Sequence, residues 1–244
     1  MLDDARVKDL LDRARREVDE GHLPAVQVAI GYQGELVVDE TFGAPSGSRF
    51  VPFSCSKALT NAAMWQLVGE KAVDLTAPVV EYVPAFATNG KEVVTVEQVL
   101  MHVSGFPMAP LGPGRWETRE SRLAQMERWR LNLEPGSTYM YHPTSAHWVL
   151  AEILETVDGR PYADAVEARV TAPLGLPRLL AIPADEQGDV LDAVGVGAPP
   201  TPDEMEQAFG VRIDIGALVP ADVALEALLT LNTPEARSLG VPGG

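Results

Sequence analysis

The sequence predicts a protein of the α/β (α+β) class, with an antiparallel sheet, flanking helices and a mainly helical subdomain. The stretch "AVQVAIGYQGELVVDETFG" contains two apolar runs, 25–30 and 35–40, on either side of Tyr32-Gln33-Gly34, which is typical of a β-hairpin. The other strongly patterned segments have the period of a helix. With 244 residues, of which 46% are hydrophobic, the chain is long enough to bury a core.

Helices before and after the hairpin are predicted by apolar spacing and end signals. The first helix ends at Gly21, and its apolar face consists of Val7, Leu10, Leu11, Ala14 and Val18. A second helix is expected from about Ser54 to Lys71. Because its residues are apolar almost all round, we expect it to lie in the core.

The middle of the chain is predicted to be mostly helical. Thr95 and Gln98 form a capping-box pattern before "VLMHVSGF". The segments "SRLAQMERWRL", "TSAHWVLAEILETV" and "PYADAVEARV" have helical patterns, and the second stops at Asp158-Gly159. After residue 183 we expect a long loop, a short helix capped by Thr201 and a further helix in "ADVALEALLTLN".

One hairpin is a weak sheet, because two strands are marginal without further pairing or cover. Either the hairpin packs flat on helices, or the strands that complete its sheet are not in this chain.

Ser54 and Lys57 form a candidate nucleophile and base near the start of the second predicted helix. Residues three apart on a helix point from the same face. A serine hydroxyl needs a base to take its proton, and a lysine can serve if burial lowers its pKa. N–H groups at a helix start can also hold an oxyanion. Taken alone, the pair is also compatible with an ordinary serine and a solvated lysine.

Longer segments around this pair resemble the serine β-lactamase and penicillin-binding-protein superfamily, whose signature is Ser-x-x-Lys. "PFSCSKALT" resembles its nucleophile helix, and "AVDLTAPVVEYVPAF" resembles its "LDDPV-x-x-YLP" segment. "VTVEQVLMHVSGFP" resembles "ITI-x-x-LLTHTSGL", and "LEPGSTYMYHPTSAHWVLAEILE" resembles "PG-x-x-x-x-YSN-x-x-Y-x-LLG-x-ILE". Order and spacing agree from about residue 25 to 176. Within the superfamily, these segments most resemble those of class C β-lactamases and of the carboxylesterases that share their fold.

The resemblance implies three parts of the chain. Residues 1–75 would form the N-terminal part of the sheet domain, 76–180 a helical subdomain, and 181–244 an incomplete return segment toward the sheet domain.

The resemblance also implies a role for each matching residue. Ser54 would be the acylated nucleophile and Lys57 its partner base. The Tyr-x-Asn motif of the family falls on residues 141–143, so Tyr141 would be the general acid and base. Tyr139 is a rival, but the spacing from Pro135-Gly136 favours Tyr141.

Pro143 stands where the family has the asparagine of this motif. In the family the asparagine amide helps to orient the lysine and the acyl side chain of the substrate. We expect that proline does neither, which argues against β-lactam turnover and favours small esters.

The third family motif, Lys/His-Ser/Thr-Gly on a sheet strand, is not found before "GVPGG". "HVSG" at 102–105 matches the helical-domain segment and is not assigned that role. We expect the 244 residues to be the first part of a longer protein. Its C-terminal remainder, as a continuation or as a second chain, would supply the missing strands and one oxyanion donor.

Three residues are candidates for binding the substrate: His142 and Pro143, beside Tyr141, and Trp116, in the Gly- and Pro-containing loop "APLGPGRWETRE". Trp129 and Trp148 are further candidates for the floor of a pocket. For all three tryptophans, packing in the core or in a lid is the more frequent alternative.

No metal or organic cofactor is predicted. His142 and His147 are five residues apart, which is a poor spacing for joint metal ligation on one helix face. Cys55 has no histidine placed near it by the sequence, so we expect a small buried cysteine rather than a reactive thiol.

The charge of the chain excludes some partners. The net charge is −16, which disfavours nucleic acid and an anionic membrane surface. The N-terminal residues are charged throughout and contain no apolar signal core, and no apolar run is long enough for a membrane span. With a single cysteine no internal disulfide can form. These features predict a cytoplasmic protein.

Together these features predict a serine hydrolase that acts through an acyl-serine, with an esterase on small carboxylic esters as the first hypothesis. An amide hydrolase of the same fold, acting on β-lactams or D-amino-acid peptides, is the second. A non-catalytic binding or scaffold protein that kept the fold is the third.

Overall fold

The structure, a computed structural model of the chain, describes residues 2–196, 200–210, 212 and 229–243. Spatial contacts divide the chain into two compact units. One consists of Met1–Val51 and Asp185–Thr233, and the other of Pro52–Ala184 and Pro234–Gly244. The borders predicted at residues 75 and 180 refer to the lobes of the resembled family and stay a prediction.

Helices and strands follow each other along the described residues in this order: α1 (Asp4–Asp19), β1 (Val26–Tyr32), β2 (Glu35–Phe42), α2 (Lys57–Gly69), α3 (Val96–Leu100), α4 (Arg119–Arg128), α5 (Ser145–Asp158), α6 (Tyr162–Val166), α7 (Pro202–Phe209) and α8 (Pro234–Leu239). Single turns of 3₁₀-helix lie between them, among them Phe53–Ser56, Val79–Glu81, Pro84–Phe86, Lys91–Val93 and Ala172–Leu174.

The first helix of the first unit, α1, has clear end signals. The Asp3 carboxylate caps its start by accepting hydrogen bonds from the N–H groups of Ala5 and Arg6 at 3.1 and 3.2 Å. Gly21 follows its end with a φ of +74°, which glycine adopts without steric cost. The predicted helix and its end are therefore confirmed.

Strands β1 and β2 form the predicted antiparallel hairpin. Its turn residues, Gln33 and Gly34, have φ values of +53° and +87°, as a two-residue turn of type I′ requires. In the described residues the sheet has these two strands, and the other regular elements are helical. The larger sheet of the predicted α/β class is thus not found there, because no other described segment pairs with the hairpin.

Helix α7 of the first unit begins as predicted. The Thr201 hydroxyl accepts a hydrogen bond from the Glu204 N–H, and the Glu204 carboxylate accepts one from the Thr201 N–H at 2.7 Å. The helix predicted over 221–232 falls on 221–228, which lie outside the described residues, and on the 3₁₀ turn Thr230–Asn232.

The second unit is built around α5. Every residue from Ser145 to Leu154 is buried, and α5 contacts α2, α3 and α6. Fully burying a leucine or isoleucine side chain contributes about 1.5–3 kcal/mol, so this helix is strongly anchored. Gly159, with a φ of +84°, ends the helix as predicted. The first turn of α5 is thereby a rigid support for the residues around it.

Helix α2 buries one face, on which Ala63, Met64 and Leu67 lie. Trp65, on another face, is 55% exposed, and Ala58 is exposed as well. The prediction of burial almost all round is therefore wrong for the described structure. Helix α2 has more apolar side chains than the described residues around it bury.

Among the described helices, none combines the length with the apolar character that crossing a membrane requires.

Candidate active site

Ser54 lies in the 3₁₀ turn Phe53–Ser56, directly before α2. Phe53 has a φ of +44°, in the left-handed region that side-chain-bearing residues rarely adopt. Such a conformation costs about 1–3 kcal/mol and persists where the surroundings impose it. It places the Ser54 hydroxyl at the exposed start of the helix, with the side chain of Lys57 beneath it.

The Lys57 ammonium is buried and has three oxygen acceptors. Nζ donates to Ser54 Oγ at 3.0 Å, to the Pro143 carbonyl at 2.7 Å and to the Gly243 carbonyl. A protonated lysine has three N–H donors, so each has a partner although no carboxylate is among them. The geometry therefore suits a charged lysine that holds Ser54 Oγ.

Pro143 corrects one expectation from the sequence. We expected that a proline in place of the motif asparagine could not orient the lysine. Its backbone carbonyl does so, at 2.7 Å from Lys57 Nζ. Orienting the lysine requires only a hydrogen-bond acceptor in the right place, and the backbone carbonyl of any residue can supply one.

Tyr141 is the tyrosine that meets Ser54. Its hydroxyl donates to Ser54 Oγ at 3.0 Å, and Lys57 Nζ lies 5.2 Å from the centroid of its ring. Burial raises the pKa of Tyr141, but hydrogen bonding to Ser54 and the nearby Lys57 ammonium outweigh it, so the pKa is lowered overall. Tyr139, the rival, is 67% exposed and contacts the ring of His102 instead.

His142 is buried, and its ring fastens the loop before α5. Nδ1 lies 2.6 Å from the Met140 carbonyl, and Nε2 accepts from the Phe106 N–H at 3.2 Å. Burial lowers the pKa of His142, although the hydrogen bond to Met140 raises it. At 1% exposure the ring offers no surface to a substrate, so the structure places this predicted binding residue in the core.

Trp116 lies against Trp148, with ring centroids 6.1 Å apart, and Trp148 is fully buried. Within the described residues, no hydrogen bond or ring contact joins Trp116 to Ser54, Lys57 or Tyr141. Trp129 is also in the core. The three tryptophans therefore pack against other residues, which was the alternative to a role in substrate binding.

The segment before the C-terminal glycine contributes to the site. Gly243 has a φ of +80°, and a Cβ there would lie 2.9 Å from His147 Cβ and Cγ and from Lys57 Cγ. No side chain fits between Lys57 and His147 without displacing them. Burial, followed by the charges of Lys57 and His102, lowers the pKa of His147 to about 3, so this ring stays neutral.

Sequence reasoning missed two contributors, Gly243 and His102. Glycine has no side chain that could point to a role for the Gly243 carbonyl, although a Gly-Gly pair is compatible with a close backbone approach. His102 was recognised only as part of a segment that resembles the family. Cys55, expected to be buried, is exposed beside Ser54.

The described residues contain no group of three or more His, Cys, Asp or Glu side chains that could hold a metal ion. Two of the histidines near the site use their ring nitrogens for backbone hydrogen bonds, His102 through Nδ1 and His142 through both.

Comparison with known proteins shows the family to which the chain belongs. The family model described as Beta-lactamase matches residues 7–230, and the chain belongs to this family of serine hydrolases. Its fold is β-lactamase/transpeptidase-like, which confirms the resemblance stated from the sequence.

Three known proteins are similar to this chain. The chain is 27% identical over 159 residues to a protein of Escherichia coli (strain K12) named "Putative D-alanyl-D-alanine carboxypeptidase". EstA from Arthrobacter nitroguajacolicus Rue61a is 25% identical, with a TM-score of 0.75 over 97% of this chain and 62% of that one. A family VIII carboxylesterase is 20% identical, with a TM-score of 0.69 over 91% of this chain and 63% of that one, and shows the fold alone.

The match to the Escherichia coli relative covers 59% of this chain and 36% of that protein. The chain thus spans about a third of the length of the curated relative it matches.

Proposed function

We propose that the protein is a serine hydrolase that acts through an acyl-Ser54 intermediate on small carboxylic esters. One observation carries the proposal: Ser54 Oγ lies 3.0 Å from both Lys57 Nζ and the Tyr141 hydroxyl. A serine between a buried ammonium and a phenol is held for attack and has a route for its proton.

Tyr141 is the group that moves the proton. The Lys57 amine has three oxygen acceptors around it, so we assign Lys57 to holding Ser54. Tyr141 donates to Ser54 as a phenol and becomes the base once it has lost its proton, which its lowered pKa and the nearby Lys57 favour. This refines the sequence-based hypothesis, in which Lys57 was the base.

The reaction has two halves. Ser54 Oγ attacks the ester carbonyl carbon while the Tyr141 phenolate takes the serine proton, and Tyr141 then returns that proton to the leaving alcohol oxygen. Water enters, gives a proton to Tyr141 and attacks the acyl carbon. Ser54 regains the proton as the acid leaves.

The developing oxyanion needs backbone donors. The Ser54 N–H lies in the first 3₁₀ turn, and it has no hydrogen-bond partner among the described residues, so it is open to an oxyanion. We propose that the second donor, with the third family motif, comes from a C-terminal remainder of the same protein. The two-stranded sheet of the described residues and the one-third coverage of the relative support this. A cytoplasmic location likewise stays a prediction.

Esters are favoured over β-lactams because of Pro143. It keeps the lysine-orienting contact through its carbonyl but has no side-chain amide for the acyl side chain of a lactam. D-Amino-acid peptides are the second candidate, supported by the similarity to the Escherichia coli relative.

The test combines a fluorophosphonate serine probe with three substrates: p-nitrophenyl butyrate, a chromogenic cephalosporin and D-alanyl-D-alanine. We expect one adduct, mapped to Ser54 by peptide mass spectrometry. We also expect kcat/KM for the ester to exceed that for the cephalosporin by about 100-fold, because the amide contact is missing. Preferred turnover of the cephalosporin or the dipeptide would replace the ester proposal. A protein without adduct and without turnover would be an incomplete or non-catalytic relative, and the proposed mechanism would not apply to this chain alone.

A second prediction concerns Gly243. Alanine at this position is expected to push the carbonyl away from Lys57 and to lower kcat for the ester by about 10- to 100-fold, because small displacements of catalytic groups are costly. Steady-state kinetics and thermal melting measure the effect.

Gly159→Ala is the matched control. Gly159 also has a positive φ, +84°, but nothing lies within 4 Å of an added Cβ. It should lose about 1–2 kcal/mol of stability from backbone strain and keep its activity. Equal activity of the two variants would show that Gly243 has no special part in the site.

A further inference from the structure

His102 follows α3 and has an unusual backbone conformation. It is half-buried, with a φ of +56°. A residue with a side chain in the left-handed region costs about 1–2 kcal/mol, although histidine and asparagine tolerate it better than most. The surrounding contacts must therefore hold His102 in place.

Two hydrogen bonds connect His102 with the neighbours of Tyr141. The His102 carbonyl accepts from the Met140 N–H at 3.1 Å, and His102 Nδ1 accepts from the His142 N–H at 3.0 Å. Tyr141 lies between these two amides. One residue thus holds the chain on both sides of the tyrosine that contacts Ser54, and we name these contacts the His102 hydrogen-bond pair.

The imidazole also supports the Tyr141 side chain. The two ring centroids are 4.9 Å apart at an angle of 40°, and Tyr139 contacts the same imidazole at 6.4 Å. The backbone of Tyr141 and its ring are therefore both fixed by His102, while its hydroxyl donates to Ser54.

We propose that His102 is a positioning residue, whose neutral imidazole holds the Tyr141 hydroxyl at Ser54 through the His102 hydrogen-bond pair. This rests on the proposed function, in which Tyr141 moves the proton of Ser54. Because Nδ1 accepts a hydrogen bond, the proton of the neutral ring is on Nε2. Among the described contacts of His102 there is none with Ser54, so His102 would act through Tyr141.

The proposal has a pH dependence with a definite sign. The titratable groups that face the imidazole are Lys57 from α2, His147 from α5, and Tyr139, Tyr141 and His142 from the loop. Burial, followed by the charges of His142 and Lys57, lowers the pKa of His102 below its ordinary value. Above that pKa Nδ1 accepts the His142 N–H; below it, a protonated Nδ1 becomes a donor and the bond is lost. The hydrogen bond should therefore be present at neutral pH and be lost as the pH drops through the His102 pKa, and activity should fall with it, in addition to any loss from protonation of Tyr141.

Two substitutions separate the acceptor from the backbone strain. Asparagine and glycine both tolerate a positive φ, but only the Asn Oδ1 can replace Nδ1 as an acceptor. We expect His102→Asn to keep kcat for p-nitrophenyl butyrate within about threefold and His102→Gly to lose about 10- to 100-fold, with KM little changed. Because an amide does not titrate, the acid limb of kcat should move to lower pH in His102→Asn.

Amide hydrogen exchange at His142 supplies a readout that needs no activity. It should be slow in wild type and His102→Asn, and faster in His102→Gly at equal global stability. Equal kcat in both variants, equal loss in both, or an unchanged acid limb in His102→Asn would overturn the proposal. If wild type showed no probe adduct at Ser54, the proposed function would fail, and the exchange data alone would decide whether His102 holds this segment.

Discussion

Ser54→Ala is expected to remove the probe adduct and to lower kcat for ester hydrolysis by about 10,000-fold or more, since loss of an acylated nucleophile removes the covalent route. The fold should be unaffected, because Ser54 is exposed and water can replace its hydroxyl as partner of Lys57 and Tyr141. We expect the melting temperature to stay within a few degrees of wild type. Intact mass spectrometry and steady-state kinetics on the same preparation measure both effects.

Ser56→Ala is the matched control, two residues further along the same turn. Ser56 is buried, and its hydroxyl donates to the Phe53 carbonyl at 2.7 Å. Its loss should cost about 1 kcal/mol of stability, typical for one hydrogen bond, and leave the adduct in place. If Ser54→Ala still formed an adduct, or kept its turnover, the nucleophile would have to be sought elsewhere, with exposed Cys55 as the first alternative.

The local elements could be predicted because their signals are local. The hairpin turn at Gln33-Gly34 and the Thr95 capping box follow from the residues that form them. The extent of the sheet could not be predicted in this way, since strand pairing depends on segments far apart in the chain. The burial of α2 was overestimated for the same reason. An apolar side chain favours burial, but the sequence does not show whether other segments pack against it.

The site was predictable to the extent that side chains form it. Ser54, Lys57 and Tyr141 were selected from motif order and spacing, and the structure brings them within hydrogen-bond distance. Two acceptors of Lys57 are backbone carbonyls. Every residue has a backbone carbonyl, so the sequence does not show which of them accepts. This is why Pro143 was misjudged and Gly243 was missed. The position of these two carbonyls beside Lys57 depends on how distant segments of the chain fold together.

The structure contains a second buried lysine that resembles Lys57 in its surroundings. Lys91 is fully buried, and its Nζ donates to the Thr88 carbonyl and hydroxyl and to the Trp129 carbonyl. Like Lys57, it has three oxygen acceptors and no carboxylate among them. Burial lowers the pKa of Lys91, with the charges of Glu92 and Glu127 acting against it. Lys57 donates to Ser54, whereas Lys91 donates to Thr88 and Trp129, so Lys91 is a control for the loss of a buried lysine outside the candidate site.

Lys57→Met is expected to lower kcat by about 1,000-fold, within the range for loss of a group that directs proton transfer. Methionine keeps the length and apolar stem of lysine but offers no donor to Ser54 Oγ and no charge to stabilise the Tyr141 phenolate. The unpaired carbonyls of Pro143 and Gly243 should also cost about 1–3 kcal/mol of stability. Ester kinetics and chemical denaturation measure the two effects separately.

Lys91→Met should lose less stability, about 1 kcal/mol, because the Thr88 carbonyl keeps the Lys91 N–H at 3.2 Å and the Trp129 carbonyl keeps the Asn89 side-chain amide at 3.1 Å as donors. Its kcat should remain within about threefold of wild type, since effects at separate sites are independent. If both variants lose stability but only Lys57→Met loses activity, Lys57 has a chemical role beyond its hydrogen bonds to three acceptors. If both variants lost activity equally, the loss would follow from destabilisation, and the proposed part of Lys57 in catalysis would be wrong.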